Sequence, residues 1–283
     1  MILAHGVATP ETVWTAWTWE PTVLLLLVAA AALYTRGSAA LHRGTRRTYW
    51  REAAFYGGLA TIFVALIAPL DAVAEALFSA HMVQHLLLIL VAPPLLAAGE
   101  PGVRLVLAIP GTWRRIFNRQ IRSRFPMWLM SAVRNPLVVW CLHVVAIWAW
   151  HLPTLYDAAA RNELVHVLEH ASFFGTAVLF WNVVIDRSRK ALGYPARILF
   201  VFTTALQSGA LGALLLFAGE VLYRAHISTA HDWGLSPLED QQLAGALMWI
   251  PPWFVYFIAM AILFVRWMRA VDRRVIAVGP SEP

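Results

Sequence analysis

Two pairs of histidines share one spacing. His81 and His85 flank Met82-Val83-Gln84, and His166 and His170 flank Val167-Leu168-Glu169. Four residues is about one turn of an α-helix, so each pair sets both imidazoles on one face, about 6 Å apart along the axis. Imidazole ligates metals and haem iron through a neutral ring nitrogen. Glu169, three residues after His166, is on its side of the helix and is suited to orient a ring from behind or to ligate directly. His151, in Trp150-His151-Leu152-Pro153, adds a fifth ring, and Met82, about 100° around the helix from His81, adds a thioether. The candidate metal ligands are therefore His81, His85, His151, His166, His170 and Met82. Glu169, Asp240, Gln241 and His231 are candidate supports. The competing reading is packing, in which each histidine hydrogen-bonds a neighbouring helix. That reading suits a lone histidine; two matched pairs at one depth favour a metal or haem.

The donor set bears on the ion. Imidazole with thioether and no thiolate pair suits copper, and imidazole with carboxylate also suits zinc or iron. Cys141 is the only cysteine, which rules out a disulfide within the chain and a paired-thiolate site.

These side chains need a scaffold, and the composition defines it. Apolar residues make up 60 % of the chain and charged ones 13 %, with a mean hydropathy of +0.63. That leaves too little polar surface to wrap a soluble globule of 283 residues. Stretches of about twenty apolar residues, the length a bilayer requires, fall near 21–41, 51–70, 77–98, 135–152, 164–185, 195–218 and 242–267. The expected fold is all-α, a single seven-helix membrane domain over 1–283. A transmembrane barrel would need short alternating segments, and nothing here alternates. Pro251-Pro252 is placed to break or kink the last helix.

Charge orients the bundle. Every Lys and Arg except Arg161 and Arg224 falls in alternate connections: around Arg36 to Arg51, Arg104 to Arg134, Arg187 to Arg197, and Arg266 to Arg274. Basic connections face the cytoplasm, so the N-terminus is expected outside and the C-terminus inside. Residues 1–35 hold no Lys or Arg, which argues against a cleaved signal peptide and suits a short translocated tail ending in Trp14, Trp17 and Trp19. The net charge of +6 then reflects topology and not nucleic-acid binding. The five candidate histidines fall toward the outer face, whereas His42 falls inside. His143 is about 12 Å deeper than His151 and turned about 80° away from it, outside the cluster. Near 110–125, Trp113, Ile116, Phe117 and Ile121 recur at helical spacing between arginines, the pattern of a cationic helix lying on anionic lipid.

Taken together, Ser79 to Leu88 with Ala92-Pro93-Pro94-Leu95, Trp150 to Pro153 with Tyr156-Asp157, His166 to Phe173 with Trp181, and Ser236 to Gly245 with Met248-Trp249 resemble the CtaG family of bacterial cytochrome c oxidase assembly factors, first associated with caa-type oxidases. The resemblance covers nearly all the membrane portion. It implies a multi-pass plasma-membrane protein needed to mature a haem–copper oxidase, with oxidase subunits or other assembly factors as partners.

Three functions are compatible with this inventory. A copper-binding assembly factor would hold the ion in the histidine cluster near the outer face and pass it to the oxidase. A haem-binding cytochrome would take axial histidines from the third and fifth spans, leaving the second histidine of each pair spare. A membrane di-metal enzyme ranks last, because histidine clusters of that kind belong on the cytoplasmic side. No serine or cysteine is set in a nucleophile motif, so a hydrolase is not supported. Thr203, Thr204, Gln207 and Ser208, with Gly209 and Gly212, fit close helix packing better than a polar path.

Overall fold

A computed structural model describes residues 8–41, 49–115, 131–186 and 192–278, and all regular structure among them is helical. The helices are α1 (Pro21–Leu41), α2 (Tyr49–Leu66), α3 (Pro69–Ala76), α4 (Phe78–Leu86), α5 (Ala92–Ala98), α6 (Pro101–Ala108), α7 (Pro136–Trp150), α8 (Pro153–Arg161), α9 (Glu163–Ile185), α10 (Tyr194–Leu216) and α11 (Pro237–Val278). A π-helical turn, Leu87–Val91, joins α4 to α5. Proline opens α1, α3, α6, α7, α8 and α11. At the first helical position it forfeits an N–H that would have no partner anyway, and its φ already fits the helix.

Among the described residues, five helices are long and apolar enough to cross a membrane: α1, the α4–α5 unit, α9, α10 and α11. The count rises to seven if the bent pairs α2–α3 (43°) and α7–α8 (75°) each form one span. The bends were not expected, and proline explains them. Pro69 and Pro153 push the residue before them out of helical conformation, and Ala68 and Leu152 are accordingly extended, at ψ 169° and 129°. The last helix begins at Pro237, earlier than residue 242, and passes through Pro251-Pro252 uninterrupted. His5, His42, Arg43, Arg46, Arg47, residues 116–125 of the amphipathic segment, Arg187, Arg189 and Lys190 lie outside the described residues.

Two arginines that read as loop charges are buried. Arg104 on α6 donates from Nη1 to the Gly99 and Glu100 carbonyls (2.9 and 3.1 Å) and from Nε to Ser38 Oγ on α1 (3.1 Å). Arg197 at the start of α10 donates to the Val184 and Asp186 carbonyls at the end of α9 (3.3 and 2.6 Å). Each guanidinium satisfies carbonyls left over where a helix ends, which favours a cation there.

Close backbone approach joins α10 to α11. A Cβ on Gly212 would lie 2.8 Å from the Trp249 nitrogen, and one on Gly245 would lie 2.8 Å from the Gly212 carbonyl. Small residues at such a crossing let dispersion act between whole helices.

The break between α4 and α5 is repaired from a distance. Pro93 and Pro94 are four and five residues after Ile89, so the Ile89 carbonyl has neither an α-helical nor a π-helical N–H to accept. Trp181 of α9 fills the vacancy, its Nε1 donating to that carbonyl at 2.9 Å in a buried setting. Trp181→Phe is expected to lower stability by about 1–3 kcal/mol, the cost of one buried acceptor without a donor. Thermal unfolding in detergent checks this; an unchanged midpoint would contradict it.

Candidate metal centre

One end of the bundle gathers the beginnings of α4, α9 and α11, the bend between α7 and α8, and the 217–236 connection. Its organising contact is a carboxylate. Asp240 in the first turn of α11 is buried, and its two oxygens accept from the backbone N–H groups of Phe78 (2.7 Å) and Ser79 (3.0 Å). Leu77, the residue in the capping position of α4, has no side chain able to do this. A charge from another helix therefore caps the helix that carries His81 and His85. On α9 the cap is local: Asn162 Oδ1 accepts from the Val165 N–H at 3.2 Å.

From these fixed starts the two pairs face each other. Ring centroids are 4.2 Å apart within His81–His85 and within His166–His170. Across the helices His81 lies 5.4 Å from His166 and 5.9 Å from His170, and His85 lies 5.1 Å from His170. Glu169 enters between them, Oε2 and Oε1 each 3.9 Å from Nε2 of His81 and of His85. One donor atom from each of His81, His85, Glu169 and His170 lies within 4.8 Å of all the others.

The electrostatics of this group are unusual. Nε2 of His81, His166 and His170, both nitrogens of His85 and both oxygens of Glu169 are buried without any hydrogen-bond partner. A buried polar atom costs free energy unless it is paired, and a carboxylate costs more. Three imidazoles and a carboxylate whose lone pairs converge without donors are the complement of a cation. Four nitrogen and oxygen donors match the coordination number of zinc and are equally acceptable to copper.

The other sequence candidates take different positions. His166 stacks on His81 beside the four donors. His151 and Met82 line a cavity on the far side of His85, along with Met248. His231 is exposed in the 3₁₀ turn Ala230–Trp233. Gln241 fastens the 217–236 connection, its Oε1 accepting from the Leu222 N–H (2.6 Å) and its Nε2 donating to the Glu220 carbonyl (3.1 Å). His143 stays apart, its Nδ1 3.0 Å from Thr176 Oγ1 and its ring stacked on Phe180. Cys141 is exposed on α7.

The roof of the site comes from the 217–236 connection, where the sequence makes His226 a weaker candidate than the paired histidines. His226 is buried, and its ring lies 6.4 Å from that of His81. Its Nδ1 donates to the Glu75 carbonyl at 3.2 Å, so Nε2 is the acceptor for Tyr156 Oη at 2.7 Å. Burial holds the His226 pKa below its ordinary value, opposed by the nearby Asp240 carboxylate. Thr229 Oγ1 donates to the Ala76 carbonyl (2.6 Å) and Tyr223 Oη to the His151 carbonyl (2.7 Å). The only advance signal was the presence of His226 in a connection on the histidine-rich side.

The chain is similar to an uncharacterized protein of Mycobacterium bovis and one of Mycobacterium tuberculosis, each 26 % identical over 289 residues, covering 97 % of this chain and 43 % of the relative. An uncharacterized protein of Mycobacterium leprae is 24 % identical over 271 residues, with 92 % and 40 % covered. The chain thus spans less than half the length of these curated relatives. No solved structure is significantly similar. The histidine pairs, the helices α4 and α9 that carry them and the Ser236–Gly245 stretch all fall within residues 32–270, which match the family described as cytochrome c oxidase caa3 assembly factor. The chain belongs to that family.

Proposed function

We propose that this protein is an oxidase assembly factor that binds a copper ion through His81, His85, Glu169 and His170 near the outer membrane face and supports maturation of the oxidase metal centres. The observation that carries the reading is the convergence of three imidazoles and one carboxylate, their Nε2 atoms and carboxylate oxygens buried with no hydrogen bonds to occupy them. Membership of an oxidase assembly family supports an oxidase as the client, and a haem–copper oxidase needs copper. The histidine and carboxylate donors suit Cu(II), and Zn(II) is the natural competitor.

The bundle crosses the bacterial plasma membrane seven times as one domain, each bent pair counted as a single span. Its N-terminus is outside and its C-terminus cytoplasmic. The distribution of basic residues supports this orientation. Hydrogen bonds also support it: Trp233 Nε1 donates to the Ala8 carbonyl (3.3 Å), which puts the translocated tail at the same end as the site. The basic segment near 110–125 meets anionic lipid on the cytoplasmic side, and oxidase subunits or other assembly factors dock at the outer end. The ion is bound and released here.

Haem is the second reading. It accounts for less of the site, because an iron with two axial histidines would leave Glu169 and the remaining imidazole of the four donors unused. Elemental analysis and an absorption spectrum on one purified sample decide between the two. The expected result is about one bound Cu(II) or Zn(II) per chain, no Soret band, and loss of the ion on His170→Ala. A Soret band, or a full complement of metal in His170→Ala, would end the proposal.

A further inference from the structure

Just inside the His/Glu cluster, further along α4, is a separate cavity of about 40 Å³. Its walls include Met82 and His85 from α4, Ile147 and His151 from the end of α7, and Met248 and Tyr256 from α11. The volume exceeds what a single water needs, so an ion fits.

Two features distinguish this cavity from ordinary packing around methionines. The first is the state of His151. Its Nδ1 lies 2.6 Å from the Ile147 carbonyl, which can only accept, so the ring proton is on Nδ1. Nε2 therefore carries a lone pair, and that nitrogen is buried with no hydrogen-bond partner in a residue only 7 % exposed. A backbone carbonyl fixing one ring nitrogen so that the other can ligate is how metal-binding histidines are held. The second feature is the pairing of two thioethers from different helices. Met82 is 0 % and Met248 7 % exposed, and both line the space that His151 lines. Thioether sulfur is a soft donor that contributes little to a divalent hard ion but suits a monovalent d¹⁰ cation.

We propose that Met82, Met248 and His151 form a second metal site, selective for a soft monovalent cation of the Cu(I) class and distinct from the His/Glu cluster. His85 is the wall between the two. Its Nε2 faces Glu169 on one side, its ring lies 6.4 Å from that of His151 on the other, and neither of its nitrogens is hydrogen-bonded. The chain thus offers a hard and a soft donor set separated by one imidazole. The soft site does not depend on a metal being held at the His/Glu cluster.

The test uses the full chain in detergent, with Ag(I) as a monovalent probe that does not change oxidation state and Zn(II) as the divalent probe. The wild-type protein is expected to bind one Ag(I) in addition to Zn(II), with sulfur in the silver coordination shell by X-ray absorption. Met82→Leu/Met248→Leu conserves core volume and is expected to weaken Ag(I) binding at least about 100-fold while Zn(II) binding persists. His170→Ala is expected to do the reverse. Retention of Ag(I) by the double Leu variant, or a silver shell without sulfur in wild type, would overturn the soft site. Loss of Ag(I) in His170→Ala would also overturn it, by merging the two sites. Failure of Zn(II) to bind wild type would instead count against the His/Glu cluster alone. A cooperative melt confirms that each variant is folded.

Discussion

Glu169→Gln is expected to do two opposite things: weaken Zn(II) or Cu(II) binding by roughly 100-fold or more, and make the metal-free protein more stable. The carboxylate is about 1 % exposed, and both of its oxygens lack hydrogen-bond partners. In the absence of an ion it is a desolvation cost that nothing in the fold repays. A neutral amide of the same shape removes most of that cost, so the thermal midpoint of the apoprotein rises. With a divalent ion the balance inverts, because Glu169 is the only anionic donor among the four and its charge offsets the cation in a poorly polarisable setting. Wild type at a free-ion concentration 100 times Kd gains about 2.7 kcal/mol, and the variant gains almost none of it. Melting curves with and without Zn(II), together with a chelator competition, read both effects. A variant that is less stable as apoprotein, with unchanged affinity, would show that Glu169 is structural and not a ligand.

Asp240→Ala is expected to be the most destabilising single change near the site, at about 3–5 kcal/mol. It strips acceptors from two buried N–H groups at once, each costing about 1–3 kcal/mol when left unpaired. It also removes a negative charge from a helix start, where charge is favourable. Asp240→Asn, which keeps one acceptor oxygen, should lose about half as much. The proposed ligands respond as well, since His81 is on the first turn of the helix that Asp240 caps. Divalent-ion affinity should therefore fall in the same order, wild type above Asn above Ala, although residue 240 touches no ion. Affinity that stays constant while stability falls would separate the cap from the site.

What the sequence disclosed depended on whether a feature is local. The all-helical membrane character, the oxidase assembly family and the pairing of His81 with His85 and His166 with His170 follow from composition, motif and the helical period, all of which operate within one segment. Which rings face which does not. The sequence places His166 and His170 on one face, but only the rotation of α9 against α4 puts His170 with Glu169 among the four donors and leaves His166 stacked alongside. Met82 on α4 and His151 at the end of α7 line the cavity behind His85 instead, a meeting of separate helices that no local pattern displays. Asp240 could be read as lying at a helix entrance on the correct side, yet it serves a helix that starts 162 residues earlier in the chain. Arg104 and Arg197 read as cytoplasmic charges because the sequence does not reveal where helix ends leave carbonyls exposed. The bends before Pro69 and Pro153 were accessible in principle, since the restraint proline places on its predecessor is local.

The connection that roofs the histidines is riveted at several points: Tyr223 to the α7–α8 corner, His226 and Thr229 to the last residues of α3, and Gln241 to the backbone at Leu222 and Glu220. These rivets share one short stretch of chain, so they hold or fail as a group. The ion of the proposed function, held beneath such a hatch, would meet a chamber that is shut or open with little in between. A docking protein that prises up one edge would unload it in a single stroke rather than by slow leakage.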